Sequence, residues 1–323
     1  MILCVTPTPV LQRAARISSP IAPGEVNHFN DVGITAGGTG TNVAYALYLA
    51  GQSAQALFPA PQISHYMRLI TEMGLAHDFI EVPGPIPMHS AVIESDLTTT
   101  EFRDPPMPLD SHQLAMLRDK TVAAAEHRGS VLLTGPLPIV ATHGWYSDVL
   151  RSLCLYHPTK KVSIASTGPA LQAVLRQVGT IAPHSVMCHL EDIATWARGD
   201  IDELRSRLRD EPESSAQELA RTCQPLLDAG IHTLLIGIDR RHSLLLTESM
   251  SALGRYTGTP GYMSIPWRDS LVAGFQLGVC EDAPLDEQLR LAVAFGAAEG
   301  DSLHSFMPTK DGARCDQVEI LPL

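Results

Sequence analysis

Aromatic side chains are scarce in this sequence, at 5% of its 323 residues, and basic residues show no surplus. With hydrophobic residues at 45%, the core must be built from Leu, Val, Ile and Ala, and the chain is long enough for one large α/β domain. A formal net charge of −12 argues against broad contact with a nucleic-acid backbone, and no basic run offsets it. No C-x-x-C pair occurs. Cys4, Cys154, Cys188, Cys223, Cys280 and Cys315 are scattered, as free thiols in a reducing compartment would be. None of the 13 histidines falls in H-E-x-x-H or at zinc spacing from a cysteine. No apolar run is long enough to span a membrane, and the opening Met1-Ile-Leu-Cys-Val-Thr-Pro reads as a first strand, not a signal peptide. The expectation is a cytoplasmic protein that engages neither nucleic acid nor membrane.

What is present is an alternation. Short apolar runs suited to strands occur at Ile2–Val5, Ala54–Phe58, Phe79–Val82, Val131–Thr134, Val162–Ala165, Ser185–Cys188 and Thr233–Ile238. Helical patterns lie between them at Asn42–Ala50, Ile63–Met73, Ser111–His127, Gly144–Leu155, Leu190–Ala197 and Ala216–Leu227. Buried strands alternating with helices predict an α/β fold, a mostly parallel sheet covered on both faces. Two segments break the rhythm, at approximately 10–35 and 86–104. The first alternates like an exposed strand from Val26, after the turn at Pro23-Gly. The second reads as a hairpin through His89 and Thr98-Thr-Thr-Glu-Phe-Arg. Together they predict a small β-sheet lid on one domain spanning 1–323.

Ala36-Gly-Gly-Thr-Gly-Thr-Asn-Val-Ala44 is the strongest glycine cluster. Gly37, Gly38 and Gly40 at a helix start would let backbone N–H groups approach a ligand closely. A dinucleotide fingerprint is a poor fit, because the third glycine is missing and no acidic residue follows at the required distance. A tight turn with no ligand is the plainer alternative.

The stretch Ser264-Ile-Pro-Trp-Arg-Asp-Ser-Leu-Val-Ala-Gly-Phe275 poses the sharpest question. Leu271, Val272 and Phe275 open an amphipathic helix that begins with Asp269, and Pro266, Trp267 and Arg268 lead into it. Aspartate is a good N-cap, so Asp269 needs no other purpose. In order, however, Pro23-Gly-Glu-Val-Asn, Gly37-Gly-x-Gly-x-Asn42-Val-Ala, Asp269-Ser-x-Val-Ala-Gly-Phe and Leu291-Ala-Val-Ala resemble the ribokinase/PfkB carbohydrate kinases. The similarity runs from Ile2 to about Ala298 and is strongest to the 1-phosphofructokinase and tagatose-6-phosphate kinase branch. It implies a ribokinase-like three-layer sandwich with a β lid. It also implies transfer of the γ-phosphoryl group of ATP, with Mg²⁺, to a sugar or sugar-phosphate hydroxyl. Asp269 takes the position of the catalytic base. Gln12, Gly37, Gly38, Asn42 and His89 take positions on the sugar side, and Gly237, Arg240 and Trp267 on the nucleotide side. Asp192, with Glu191 beside it, takes the position near the metal, although a solvated acidic helix start reads equally well there.

The departures from the family pattern are chemical. Its Gly-Ala-Gly anion hole is replaced by Pro266-Trp267-Arg268. Proline has no N–H to donate, and loss of one such donor typically costs roughly 3–4 kcal/mol of transition-state stabilisation. Arg268 is the candidate replacement, a side-chain clamp on the phosphoryl group. The carboxylate that holds sugar hydroxyls becomes Gln12, and the lysine of Gly-Gly-Lys-Gly becomes Thr39. In the lid stretch Pro85–Ser90 only His89 can be cationic, so a phosphorylated sugar is poorly provided for. Arg240 and Arg241 read first as surface charge, with ATP phosphates as the alternative for them. Two readings therefore stand. One is a divergent sugar kinase of weakened activity. The other is a catalytically silent relative acting as a ligand-binding or regulatory module, with Trp267 in the space a phosphate would take. A homodimer through the lid is expected in either case.

Overall fold

The computed structural model describes residues 1–138, 141–261, 267–300 and 305–323. Pro266 lies outside them. Among the described residues the strands are β1 (Ile2–Val5), β2 (Val10–Arg16), β3 (Asp31–Gly37), β4 (Ala54–Ala60), β5 (His77–Glu81), β6 (Met88–Ile93), β7 (Thr99–Arg103), β8 (Ser130–Thr134), β9 (Lys161–Ala165), β10 (Ser185–His189), β11 (Thr233–Gly237), β12 (His242–Thr247), β13 (Ser251–Tyr256) and β14 (Val318–Pro322). The helices are α1 (Thr39–Leu49), α2 (His65–Glu72), α3 (Ser111–Ala125), α4 (Trp145–Tyr156), α5 (Gly168–Leu175), α6 (Leu190–Ala197), α7 (Ile201–Asp210), α8 (Pro212–Asp228), α9 (Trp267–Cys280) and α10 (Leu285–Ala297).

Ten strands form one sheet in the order β14-β13-β12-β11-β10-β9-β8-β1-β4-β5. Its β11-to-β5 portion is parallel throughout, and β12, β13 and β14 extend it antiparallel. All seven expected strands lie in the parallel portion, where both faces are buried and apolar runs are continuous. Alternation separates the two faces. Val186 and Cys188 of β10, Leu234 and Ile236 of β11, and Leu244 and Leu246 of β12 belong to one apolar cluster, with α6 and α8. Met187, Leu235 and Leu245 belong to another, with α9 and α10. The α/β expectation is borne out: a mostly parallel sheet with helices packed on both faces.

The sequence reading passed over β12 to β14, α5 and α7. The antiparallel strands are tied by hairpins and by the chain end, not by the helix-strand rhythm that marked the others. Helix α7 is short and polar, with only Leu208 buried, so its pattern is set by capping. Asp200 accepts from the amides of Asp202 and Glu203 at 2.8 and 3.2 Å.

A second sheet has the order β3-β2-β6-β7. Its strands fall within or at the edge of the two irregular segments, and the hairpin expected around His89 is β6 paired antiparallel with β7. The strand expected from Val26 begins later, at Asp31, because Asn27 is spent on a turn, exchanging hydrogen bonds with Ala22.

Helix α3 opens on a capping box. The Asp110 carboxylate accepts from the Gln113 amide at 2.8 Å, and the Gln113 side chain accepts from the Asp110 amide at 2.9 Å. Replacing Asp110 by alanine should lower unfolding free energy by about 1 kcal/mol in urea titration and leave ligand binding unchanged, since Asp110 does not line the cavity described below.

Candidate active site

The second sheet faces the ends of β1, β8, β9 and β10 across a cavity of about 790 Å³. Strands of a parallel sheet end where helices begin, so the starts of α1 and α9 reach this cavity through Gly38, Thr39 and Asp269. Helix starts carry partial positive charge and unpaired N–H groups, which suits anions.

Gly38 enters α1 at φ 105°, and a β-carbon there would lie 2.6 Å from Thr6 Cγ2, so a larger residue is barred twice over. Gly37 is pressed against Gln12, whose Oε1 would lie 2.2 Å from a β-carbon. That oxygen is buried with no hydrogen-bond partner among the described residues, a state that costs about 1–3 kcal/mol. The Gly37 carbonyl is fixed from behind by the buried Tyr66 hydroxyl, which donates to it at 2.9 Å.

One turn into α1, Asn42 Nδ2 donates to Asp269 Oδ2 at 2.7 Å, and Thr39 also hydrogen-bonds that carboxyl. Burial pushes the Asp269 carboxyl above its ordinary 3.8, against the pull of Asn42, Thr39, Arg268 and Arg103. The group still meets the cavity. A carboxylate held in place, raised in basicity and open on one side has the attributes of a general base. Asn42 is 3% exposed and stands behind Asp269, not on the cavity wall.

On the second sheet, Gln12, His89 and Arg103 lie directly opposite one another across β2, β6 and β7, and all three line the cavity. His89 is pushed below 6.5, first by burial and then by Arg103. The cation at this wall is therefore Arg103, not His89 as the sequence suggested. Arg13 also lines the cavity, its guanidinium 4.7 Å from the centre of the Phe29 ring. Sequence reading missed both arginines. The signal was the alternation of the hairpin, which places Arg103 on the face of His89.

At the far end stand Trp267, Arg268, His189 and Arg240. Trp267 opens α9 half-buried, along the cavity wall. Its ring is 5.5 Å from that of His189 at 58°, and the Arg268 guanidinium is 5.5 Å from the indole centre. His189 is 7% exposed. Burial and then Arg268 push its pKa down to about 3, so it is a neutral imidazole, with Nδ1 unpartnered among the described residues. Gly237 ends β11 against His189 and Leu271. Arg240, first read as surface charge, is half-buried on the cavity wall and donates to the Gly261 carbonyl at 2.8 Å. Arg241 stays outside, donating to the Gly258 carbonyl at 2.7 Å.

The two carboxylates at the start of α6 face different tasks. Asp192 is 5% exposed, and its oxygens accept from the backbone amides of Gly168 at 2.7 Å and His189 at 3.2 Å. Burial pushes its carboxyl up. Glu191 Oε1 accepts from Arg205 at 2.6 Å and from Arg268 at 3.2 Å. Burial would raise this carboxyl too, but backbone, Arg268, His189 and Arg205 together hold it low. Mg²⁺ wants oxygen donors free to face it, usually one or two carboxylates beside phosphate and water. Here each Asp192 oxygen accepts a backbone amide and Glu191 Oε1 holds two guanidinium groups, a positive neighbourhood that opposes a divalent cation, so the pair does not fit the metal. Among the described residues no group of three or more His, Cys, Asp and Glu is placed to hold a metal ion. The Arg268–Glu191 pair is half-exposed on both sides, worth about 0–1 kcal/mol, and easily exchanged for another anion.

No family model matches the chain. A 1-phosphofructokinase of Haloferax volcanii is 32% identical over 98 residues, 30% of this chain and 32% of that protein; the match thus spans about a third of the relative's length. Among solved structures, phosphofructokinase-2 of Escherichia coli in complex with substrates and products superposes with a TM-score of 0.80 over 97% of both chains, at 19% identity. A possible 1-phosphofructokinase of Thermotoga maritima gives 0.79 over 100% of this chain and 99% of its own, at 17% identity. The structural neighbours are thus PfkB-family phosphofructokinases, and the fold of this chain is theirs, the ribokinase-like fold. No helix among the described residues is long and apolar enough to cross a membrane.

Because Asn42 donates to the charged form of Asp269, Asn42→Ala should raise the Asp269 pKa further, read by ¹³C NMR titration of the side-chain carboxyl. His189 gives the opposite sign. Its folded pKa lies below the ordinary 6.5, so on acidification the unfolded chain takes up a proton that the folded one refuses. Its contribution to stability should be full above about 6.5 and fall as the pH drops toward about 3, and His189→Gln should flatten that part of the urea-midpoint profile.

Proposed function

We propose that this chain is a divergent PfkB-family carbohydrate kinase that transfers the terminal phosphoryl group of ATP to a hydroxyl of a sugar phosphate. The observation that carries the reading is Asp269, held by Asn42 at the start of α9 and facing a cavity whose lining among the described residues includes four arginines, Arg13, Arg103, Arg240 and Arg268. Among the described residues only two carboxylates, Asp269 and Glu101, share those walls. In a chain of net charge −12, so local an excess of positive charge points to an anionic ligand.

Asp269 takes the proton from the acceptor hydroxyl, and its raised basicity suits that task. Gln12 and the turn at Gly37 and Gly38 position the sugar, and Asn42 acts through Asp269. Arg103, with Arg13, meets the phosphate that the acceptor already carries, a provision that the lid sequence alone did not reveal. Arg240, Gly237 and Trp267 stand on the nucleotide side, and Arg268 meets the transferring group. Exposed Val26, Phe29 and Phe102 around the second sheet favour pairing of two copies through that sheet.

A silent, ligand-binding relative is the second reading. It is favoured by one observation, the engagement of Arg268 with Glu191 instead of the open cavity. ATP turnover against free and phosphorylated ketoses separates the two. The kinase reading expects sugar-dependent turnover that Asp269→Asn lowers roughly 10²–10⁴-fold, with an acid limb in kcat/KM above pH 3.8, the ordinary carboxyl value. It also expects Arg103→Gln to raise KM for a phosphorylated sugar far more than for the free sugar. Equal background from wild type and Asp269→Asn across the panel would overturn it in favour of a retired site.

A further inference from the structure

Helix α6 begins with two neighbouring carboxylates, and both are already engaged with protein donors. Asp192 is turned inward and closed by the amides of Gly168 and His189. Glu191 faces outward and holds the guanidinium groups of Arg205 and Arg268 on a single oxygen. A divalent cation placed beside Glu191 would sit next to two guanidinium groups, whose positive charge opposes it. Arg268 itself is kept at the cavity by two contacts, the Trp267 ring 5.5 Å away and Glu191 at 3.2 Å. It is the first side chain of α9 after Trp267 and directly precedes Asp269.

We infer that the guanidinium of Arg268, held ready by Glu191, is with Arg240 the positive charge this end of the cavity offers to a phosphate-bearing ligand, and that such a ligand binds here without a divalent cation. The identity of the ligand, a nucleoside triphosphate, rests on the kinase reading; the metal independence rests on the arrangement of α6 and α9. Guanidinium is suited to the exchange, since its fork can leave one carboxylate oxygen for a phosphate without losing charge or changing protonation. Glu191 is then a positioning residue and not a metal ligand. Its removal frees Arg268 and subtracts a negative charge from the approach of an anion.

The test is ATP binding by isothermal titration calorimetry, in excess EDTA and in excess magnesium chloride, with wild type, Glu191→Gln and Arg268→Gln. Both substituted positions are partly exposed, at 38% and 45% of the side chain, so the fold should tolerate them. Wild type should bind about equally in the two conditions. Arg268→Gln should lose roughly tenfold in both, the worth of one charge-assisted hydrogen bond. Glu191→Gln should bind as tightly as wild type or tighter in both. If wild type binds only with magnesium, or if Glu191→Gln weakens binding in magnesium alone, Glu191 holds a metal. The inference would then fall while the kinase reading stands. Binding in EDTA that ignores Arg268→Gln would also overturn it. Absence of binding in either condition would overturn both the inference and the nucleotide side of the kinase reading, whereas a failure of turnover with binding intact would touch the kinase reading alone.

Discussion

The hydrogen bond from Asn42 to Asp269 is the constraint on which the site depends. It joins two helices far apart in sequence, α1 and α9, at the point where both begin. Asp269 sits in the first turn of its helix, where the dipole favours a negative charge, yet burial opposes that charge. The Asn42 donor at 2.7 Å, with Thr39 beside it, balances these demands while the group still meets the cavity. The glycine turn is subordinate to this contact. Gly38 at φ 105° lets α1 start close enough to β1 for Asn42, one turn later, to come up behind Asp269.

Charge is distributed against the composition. The chain is strongly acidic overall, but its cavity is walled by arginines from β2, β7, the β11–β12 turn and α9. Three devices hold them: an aromatic ring for Arg13, a glutamate for Arg103 and Arg268, and a backbone carbonyl for Arg240. Holding guanidinium groups without fully neutralising them keeps their field available to an anion inside a low-dielectric cavity, where it acts more strongly than in water.

The start of α6 shows how adjacent residues part company. Consecutive side chains on a helix diverge by about 100°, so Asp192 turns into the protein and Glu191 out toward Arg205 and Arg268. The first becomes a structural acceptor of two backbone amides. The second becomes a contact for cations. The same geometry leaves His189, at the end of β10, buried and neutral beneath Trp267, so the indole leans on an uncharged ring while its own neighbour carries the charge.

The seven parallel strands, six of the helices and the presence of a separate small sheet were legible in the sequence, because hydrophobic periodicity is a local property that burial on both faces enforces. So was the position of Asp269 and of the Gly37–Gly38 turn at helix starts, since both lie in ordered motifs. Strands β12 to β14 were not, since their pairing joins segments that carry no helix-strand rhythm. Only the tertiary structure decided that Asn42 braces Asp269 instead of lining the cavity, that the second sheet brings Arg103 and Arg13 to the cavity beside a His89 pushed toward its neutral form, that Arg240 turns inward, and that Glu191 is taken by arginines. Each of these depends on strand register or on which way a side chain leaves a helix, and both are set by packing between distant segments. Composition and motif therefore fix what kinds of groups the chain can bring to a site, and the approach of α1, α6, α9 and the second sheet fixes which groups arrive there charged, paired or free.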